Sequence, residues 1–324
     1  MSIYTTLNPG VYHGFNNKPP FFEGWYFKLV SADEKHKIAI IPGVILGQDT
    51  HAFLQVLDGV DGTSAYIKFP FTDFRADARL FAIEIGENRF DESHLSLSLN
   101  TPQLHLAGEI HLGPLNPWPV TWFSPGIMGW YAWVPRMECY HGVLSFSHSL
   151  QGRLTLNGKE MDFSGGQGYI EKDWGQSFPE AWVWLQSNHF AGQNACITAS
   201  VAIIPWINQS FRGFIVGLWV DGKLHRFATY NGSHIESLQI FDSHVDWVLK
   251  NRHSRLFLKA SRVQGGLLHG PTRLDMGKRV METLNATVDV RLETLKGALL
   301  FEGAGAHTGL EVMGDLQRLL ADKP

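Results

Sequence analysis

The feature that most limits this chain is an alternation of apolar and polar residues at a period of two. Leu95, Leu97 and Leu99 alternate with Ser96 and Ser98, Leu104 and Leu106 flank His105, and Val288, Val290 and Leu292 alternate with Asp289 and Arg291. Leu256 and Leu258 flank Phe257 ahead of Ala260 in the same way. Successive side chains of a strand point to opposite faces, so the pattern builds half-buried β-strands. Turn dipeptides punctuate it: Asn157-Gly158 separates two such runs as a type I′ hairpin does, and Asp58-Gly59, Asp61-Gly62, Asp221-Gly222 and Asn231-Gly232 repeat the signal. Helical spacing is confined to Leu316, Leu319 and Leu320 after Gly314, which predicts a short C-terminal helix.

Three markers recur in order at a spacing of about half the chain. Glu23-Gly24-Trp25-Tyr26-Phe27 returns as Glu180-Ala181-Trp182-Val183-Trp184, Ile38-Ala39-Ile40-Ile41-Pro42 as Val201-Ala202-Ile203-Ile204-Pro205, and Asp58-Gly59 as Asp221-Gly222. This order predicts duplication of one β domain. The lengths fit an all-β fold of two tandem antiparallel β-barrels of roughly eight or more strands each. The boundaries predicted are 1–165 for the first domain and 166–324 for the second. Within the first lies the segment 114–142, where Pro114, Pro117, Pro119, Pro125 and Pro135 interrupt Trp118, Trp122, Phe123, Trp130, Tyr131 and Trp133. So many prolines forbid a regular interior strand, leaving an ordered loop or a broken edge strand. Its aromatic residues either fill a junction between the domains or line a pocket.

Composition narrows the partners. Among 324 residues, Lys+Arg 27 against Asp+Glu 31 gives 27 − 31 = −4, with no basic excess to neutralise a phosphate backbone, so nucleic acid is not expected. Trp 11, Phe 21 and Tyr 8 make an aromatic-rich chain suited to a hydrophobic small molecule. Cys139 and Cys196 lack the spacing of a redox or zinc motif. The residues after Met1 resemble neither a signal nor a transit peptide, and the apolar run Ile38–Gly47 falls short of the ~20 residues that span a bilayer. A cytoplasmic protein is expected, with peripheral membrane contact through Trp118, Trp122 and Trp130 left open. Phosphate-binding, dinucleotide, zinc-hydrolase and serine-hydrolase motifs are all missing, and the scattered histidines lack metal-ligand spacing, so no metal and no cofactor are expected.

What remains is Gly168-Tyr169-Ile170-Glu171-Lys172-Asp173-Trp174-Gly175, which sets two carboxylates on one face if extended. In an apolar pocket such a carboxyl keeps its proton and becomes an acid near neutral pH. Equally, Glu171 and Asp173 are explained as structural partners of Lys172, Arg136 or backbone amides. Lys28 and Arg136 read as rim charges, since buried Lys and Arg are rare.

Phe21–Lys28, Pro125–Trp130 with Met137–Gly142, Tyr169–Gly175, Trp182–Asn188 and the closing Gly309–Val312 together resemble the tocopherol cyclase family. The resemblance implies lipocalin-like barrels. It also implies a reaction: a phenol of a prenylated hydroquinone adds across the first double bond of its prenyl tail, closing a chromanol ring without redox change. That chemistry needs an acid for the alkene, a surround that tolerates a tertiary cation, and an acceptor for the phenol proton. The stretch Gly168–Gly175 is also similar to one in two-barrel carotenoid hydratases, whose acid matches Glu171. The implied roles are Glu171 as proton donor with Asp173 second, Tyr169, His141 or Glu23 orienting the phenol, and Trp25, Trp174 and Trp184 walling the cation. Tyr26, Trp130, Tyr131, Gln186 and Asn188 complete the expected substrate contacts. An isoprenoid hydratase and a non-catalytic lipid or isoprenoid carrier remain the alternatives. Without a plastid extension the chain looks like a bacterial relative.

Overall fold

The computed structural model describes residues 2–135, 137–206 and 209–321, so Arg136 lies outside the described residues. The chain forms two compact units, Met1–Phe178 with Gly266–Val280, and Pro179–Gly265 with Met281–Pro324. The first unit therefore extends past the predicted boundary. The strand Gln167–Gly175 is hydrogen-bonded on one side to Phe21–Val30 and on the other to Cys139–Leu156, both in the first unit. Gly266–Val280 joins it as well. The Gln55 side chain, 3 % exposed, donates to the His269 carbonyl at 3.2 Å and accepts from its amide at 2.6 Å.

Among the described residues each unit is built on one large antiparallel sheet, of 12 strands in the first and, in the second, of 11, ten of which start outside Gly266–Gly270. The strand order of the first runs Ser64–Pro70, His51–Asp58, Lys37–Leu46, Phe21–Val30, Gln167–Gly175, Cys139–Leu156, His105–Leu112 and His94–Asn100, then shorter strands. The second runs Lys223–Ala228, Gln209–Val220, Ala195–Trp206, Ala181–Ser187, Leu299–Gly314, Lys278–Thr294, Ser254–Ser261 and His244–Lys250 in the same pattern. The repeated markers thus occupy equivalent strands. No pairing among the described residues joins the two edge strands of either sheet, so closed barrels are not seen as continuous ladders.

The period-two residues behave as the alternation requires. Leu95, Leu97 and Leu99 are buried while their serine neighbours are not, and Val288, Val290 and Leu292 enter a core that contains Trp247, Leu256 and Leu258. Asn157 and Gly158 both have positive φ, 50° and 83°, and close the predicted hairpin. Leu316–Ala321 is helical, with Leu319 buried. A helix at Ile3–Leu7, capped by the Ser2 hydroxyl on the Thr5 amide at 3.0 Å, is too short to show periodicity in sequence. In the Pro- and Trp-rich segment, Val120–Thr121 pairs with Ser124–Pro125 around an exposed Trp122-Phe123 tip, followed by 3₁₀ turns over Gly126–Trp133. Trp118 is buried against Phe146 at 5.6 Å.

Gly175 closes the central strand where a Cβ would lie 2.2 Å from the Glu138 carbonyl oxygen, at φ +153°. A Cβ at Gly158 meets nothing within 4 Å. Gly158→Ala is expected to cost about 1–2 kcal/mol, the left-handed penalty alone, and Gly175→Ala distinctly more. Urea unfolding of both variants checks the order, and equal losses would contradict it.

Candidate active site

The strand Gln167–Gly175 is buried along almost its whole length, so side chains on both of its faces must find partners inside the protein. Tyr169, Glu171 and Asp173 share one face by parity. Register adds their neighbours: Lys28 stands opposite Tyr169, Tyr26 opposite Glu171, and His141 opposite Asp173. The result is a chain of proton-bearing groups. The Tyr169 hydroxyl donates to Glu171 Oε2 at 2.5 Å, His141 Nε2 lies 3.6 Å from the same oxygen, and His141 Nδ1 lies 2.8 Å from Asp173 Oδ1. Cys139 Sγ sits 3.9 Å from that Asp173 oxygen.

His141 is nearly enclosed, with 15 % of its side chain exposed. Burial works against its charge, but the charges of Asp173 and Glu171 and the hydrogen bond to Asp173 outweigh it and push His141 up to about 9. At neutral pH it is an imidazolium between two carboxyl groups. It can hand a proton to Glu171 or take one back. His141, Glu171 and Asp173 also present atoms within 4.8 Å of one another, a spacing a metal ion can use. The 2.8 Å contact of Nδ1 with Asp173 fits a held proton, and Nε2, shielded from solvent, has no hydrogen-bond partner.

Glu23, Trp25 and Trp174, expected beside Glu171, lie on the opposite face of the strand pair. Glu23 stands opposite Trp174 and Trp25 opposite Lys172, one residue out of phase with the acids. There they enclose a cation that the protein supplies itself. The Lys172 ammonium, fully buried, pairs with Glu23 and donates to the Val11 carbonyl, to the Pro9 carbonyl at 3.0 Å and to His13 Nδ1 at 2.9 Å. The Trp25 and Trp174 rings face it at 4.7 and 5.0 Å. Burial holds Lys172 down at about 8 against the pull of Glu23. Glu23 also accepts the His13 amide at 2.9 Å, and the His13 ring stacks on Trp174 at 4.2 Å. The cluster fastens residues 9–13 to the sheet.

The other expected contacts are dispersed. Trp130, 49 % exposed, and Tyr131 lie against each other in the 3₁₀ turns. Trp184 and Gln186 are on the strand Ala181–Ser187 of the second unit, and Asn188 follows it; all three are buried. Lys28 is a buried residue, 1 % exposed, and not a rim charge. The rarity of buried lysines pointed to the rim, although its parity with Tyr26 in Phe21–Lys28 puts it on the acid face.

A family model described as tocopherol cyclase-like matches residues 101–314, most of the chain and all of the strand that holds the acids. The chain belongs to the tocopherol cyclase-like family. A rice protein (Oryza sativa subsp. japonica) described as a probable chloroplastic tocopherol cyclase is 26 % identical over 125 residues, 37 % of this chain and 27 % of its own length. The chloroplastic tocopherol cyclase of Zea mays is 31 % identical over 109 residues, 32 % of this chain and 23 % of its own. The matched region therefore spans about a quarter of each plant relative. Among solved structures, CghA with Sch210972 superposes with a TM-score of 0.56 at 11 % identity, over 92 % of this chain and 89 % of its own. Kievitone hydratase from Nectria haematococca gives 0.53 at 13 %, over 94 % of each chain. These two show a shared fold across both units. Among the described residues no helix is long and apolar enough to cross a membrane.

Two outcomes follow from the geometry. NMR titration of His141 is expected to show a midpoint near 9 that falls toward the ordinary value in Asp173→Asn, since a carboxylate that favours the charged ring is lost; a parent midpoint at or below 6.5 would contradict the arrangement. Because the folded value lies above the unfolded one, this group's contribution to stability is complete below about pH 6.5 and is lost as pH rises through about 9. On the other face, Lys172→Ala leaves Glu23 charged and buried without its partner and is expected to cost about 3–5 kcal/mol in chemical unfolding.

Proposed function

We propose that this protein closes a chromanol ring on a prenylated hydroquinone by protonating the prenyl alkene and adding the phenol to the resulting cation. The observation that carries the reading is the chain of contacts from buried Tyr169 and Glu171 to the partly buried His141 and Asp173 in a member of this family. A proton passed from the His141 imidazolium to Glu171 goes on to the less substituted alkene carbon, and a tertiary cation forms. The phenol oxygen bonds to that carbon, and its proton returns to the cluster. Atoms balance as an isomerisation, and no electron is gained or lost. His141, charged below about pH 9, restores the Glu171 proton, while Tyr169 holds Oε2 and Asp173 fixes the ring tautomer. The plant relatives' names support the substrate class, and the shared fold supports lipocalin-like curling of each sheet.

The test is anaerobic incubation with a panel of prenylated hydroquinones in D₂O. A chromanol carrying one deuterium at carbon is expected, with turnover falling by about 10²–10⁴ in Glu171→Gln. A product heavier by one water indicates a hydratase using the same acid. Tight binding without product indicates a carrier, and turnover in Glu171→Gln within a few-fold of the parent removes Glu171 as donor.

The same substrate class dissolves in membranes, and we read the exposed Trp122, Phe123 and Trp130 as the contact to them. Changing all three to Ala is expected to abolish co-flotation with phosphatidylcholine vesicles. Unchanged flotation would rule the contact out.

A further inference from the structure

On the outer face of the first unit's sheet, two histidines and a glutamate meet away from the acid cluster. His94 begins the strand His94–Asn100 and stands directly opposite His111 on His105–Leu112. Glu109, two residues before His111, shares its face. The imidazole rings lie 4.7 Å apart at an interplanar angle of 26°. His94 Nε2 is 3.8 Å from Glu109 Oε2, and one ligand atom from each of the three residues falls within 4.8 Å of the others. That ring nitrogen is shielded from solvent and has no hydrogen-bond partner.

Among the described residues no Lys or Arg pairs with Glu109. Arg153 faces it across the next pair of strands, but the guanidinium turns to Asp162 at 3.1 Å and Glu160 at 3.5 Å. A carboxylate is left against two imidazoles, one of them with an unsatisfied nitrogen. Two nitrogens and one oxygen suit zinc, cobalt, nickel or copper, and are a poor set for magnesium or calcium, which prefer oxygen. Metal–nitrogen bonds of about 2.0–2.1 Å place tetrahedral ligand atoms roughly 3.3 Å apart, within reach of rotamer changes on solvent-facing side chains. Sequence spacing could not reveal the set, because the strand pairing supplies it.

We propose that His94, Glu109 and His111 form a binding site for a divalent transition-metal ion of the zinc class, with water completing the coordination. The site clips two neighbouring strands together on a face separate from Tyr169, Glu171 and His141.

Equilibrium dialysis of the metal-free protein against Zn(II) is expected to give one bound equivalent at pH 7.5. His94→Ala and His111→Ala are each expected to lower affinity at least about 100-fold, and Glu109→Gln about 10-fold, with far-UV circular dichroism unchanged. His141→Ala keeps the ion, which separates this site from the acid cluster. Co(II) loading reads the ligands directly through visible absorption bands that vanish in His94→Ala. Absence of stoichiometric Zn(II) in the parent, or affinity unchanged in His94→Ala and His111→Ala, would overturn the proposal. Loss of the ion in His141→Ala alone would do the same.

Discussion

A strand buried on both faces cannot leave a polar side chain to water, and that constraint on Gln167–Gly175 organises the first unit. Burying an unpaired charge costs several kcal/mol, so each ionisable group must be answered from a neighbouring strand or from the chain end that covers it. On one face Lys172 is answered by Glu23, two backbone carbonyls and two indole rings. On the other, Glu171 and Asp173 are answered by Tyr169 and His141. The faces hold opposite charges one residue apart.

Their chemical characters differ for physical reasons. The Lys172 group is saturated: its ammonium has carbonyl, carboxylate and imidazole acceptors on hand, and it ties residues 9–13 down. Such a closed group suits structure. In the Glu171 group two carboxyl groups share one imidazole and one phenol, so protons can be redistributed at little cost. His141 as an imidazolium keeps that group supplied with a proton through the neutral range.

The strand in the equivalent place of the second unit, Leu299–Gly314, differs on the matching face. Counting back from the closing glycines, the positions of Tyr169, Glu171 and Asp173 are held here by Thr308, Leu310 and Val312, while Glu311, one residue out of phase with them, accepts from the Trp182 indole at 2.5 Å. The first copy of the topology carries two acids on that face, and the second carries none at the matching positions. Both strands end on a glycine with positive φ packed against a backbone carbonyl, Gly175 and Gly314.

The alternation of Leu95, Leu97 and Leu99, the Asn157-Gly158 turn and the recurrence of the Trp25 and Ile38 markers determined, by themselves, an antiparallel β protein with two related halves. These signals are local, or repeat locally, and strand geometry converts them directly into structure. The pairing of Glu171 with Asp173 was legible for the same reason, since two residues apart on a strand means one face. Tertiary structure alone decided the rest. Only register sets His141 against Asp173 across 32 positions of sequence and consigns Trp25 and Trp174 to Lys172 on the opposite face. A shift of one residue in pairing exchanges the two faces, and no composition or spacing in a single strand records which neighbour it will meet.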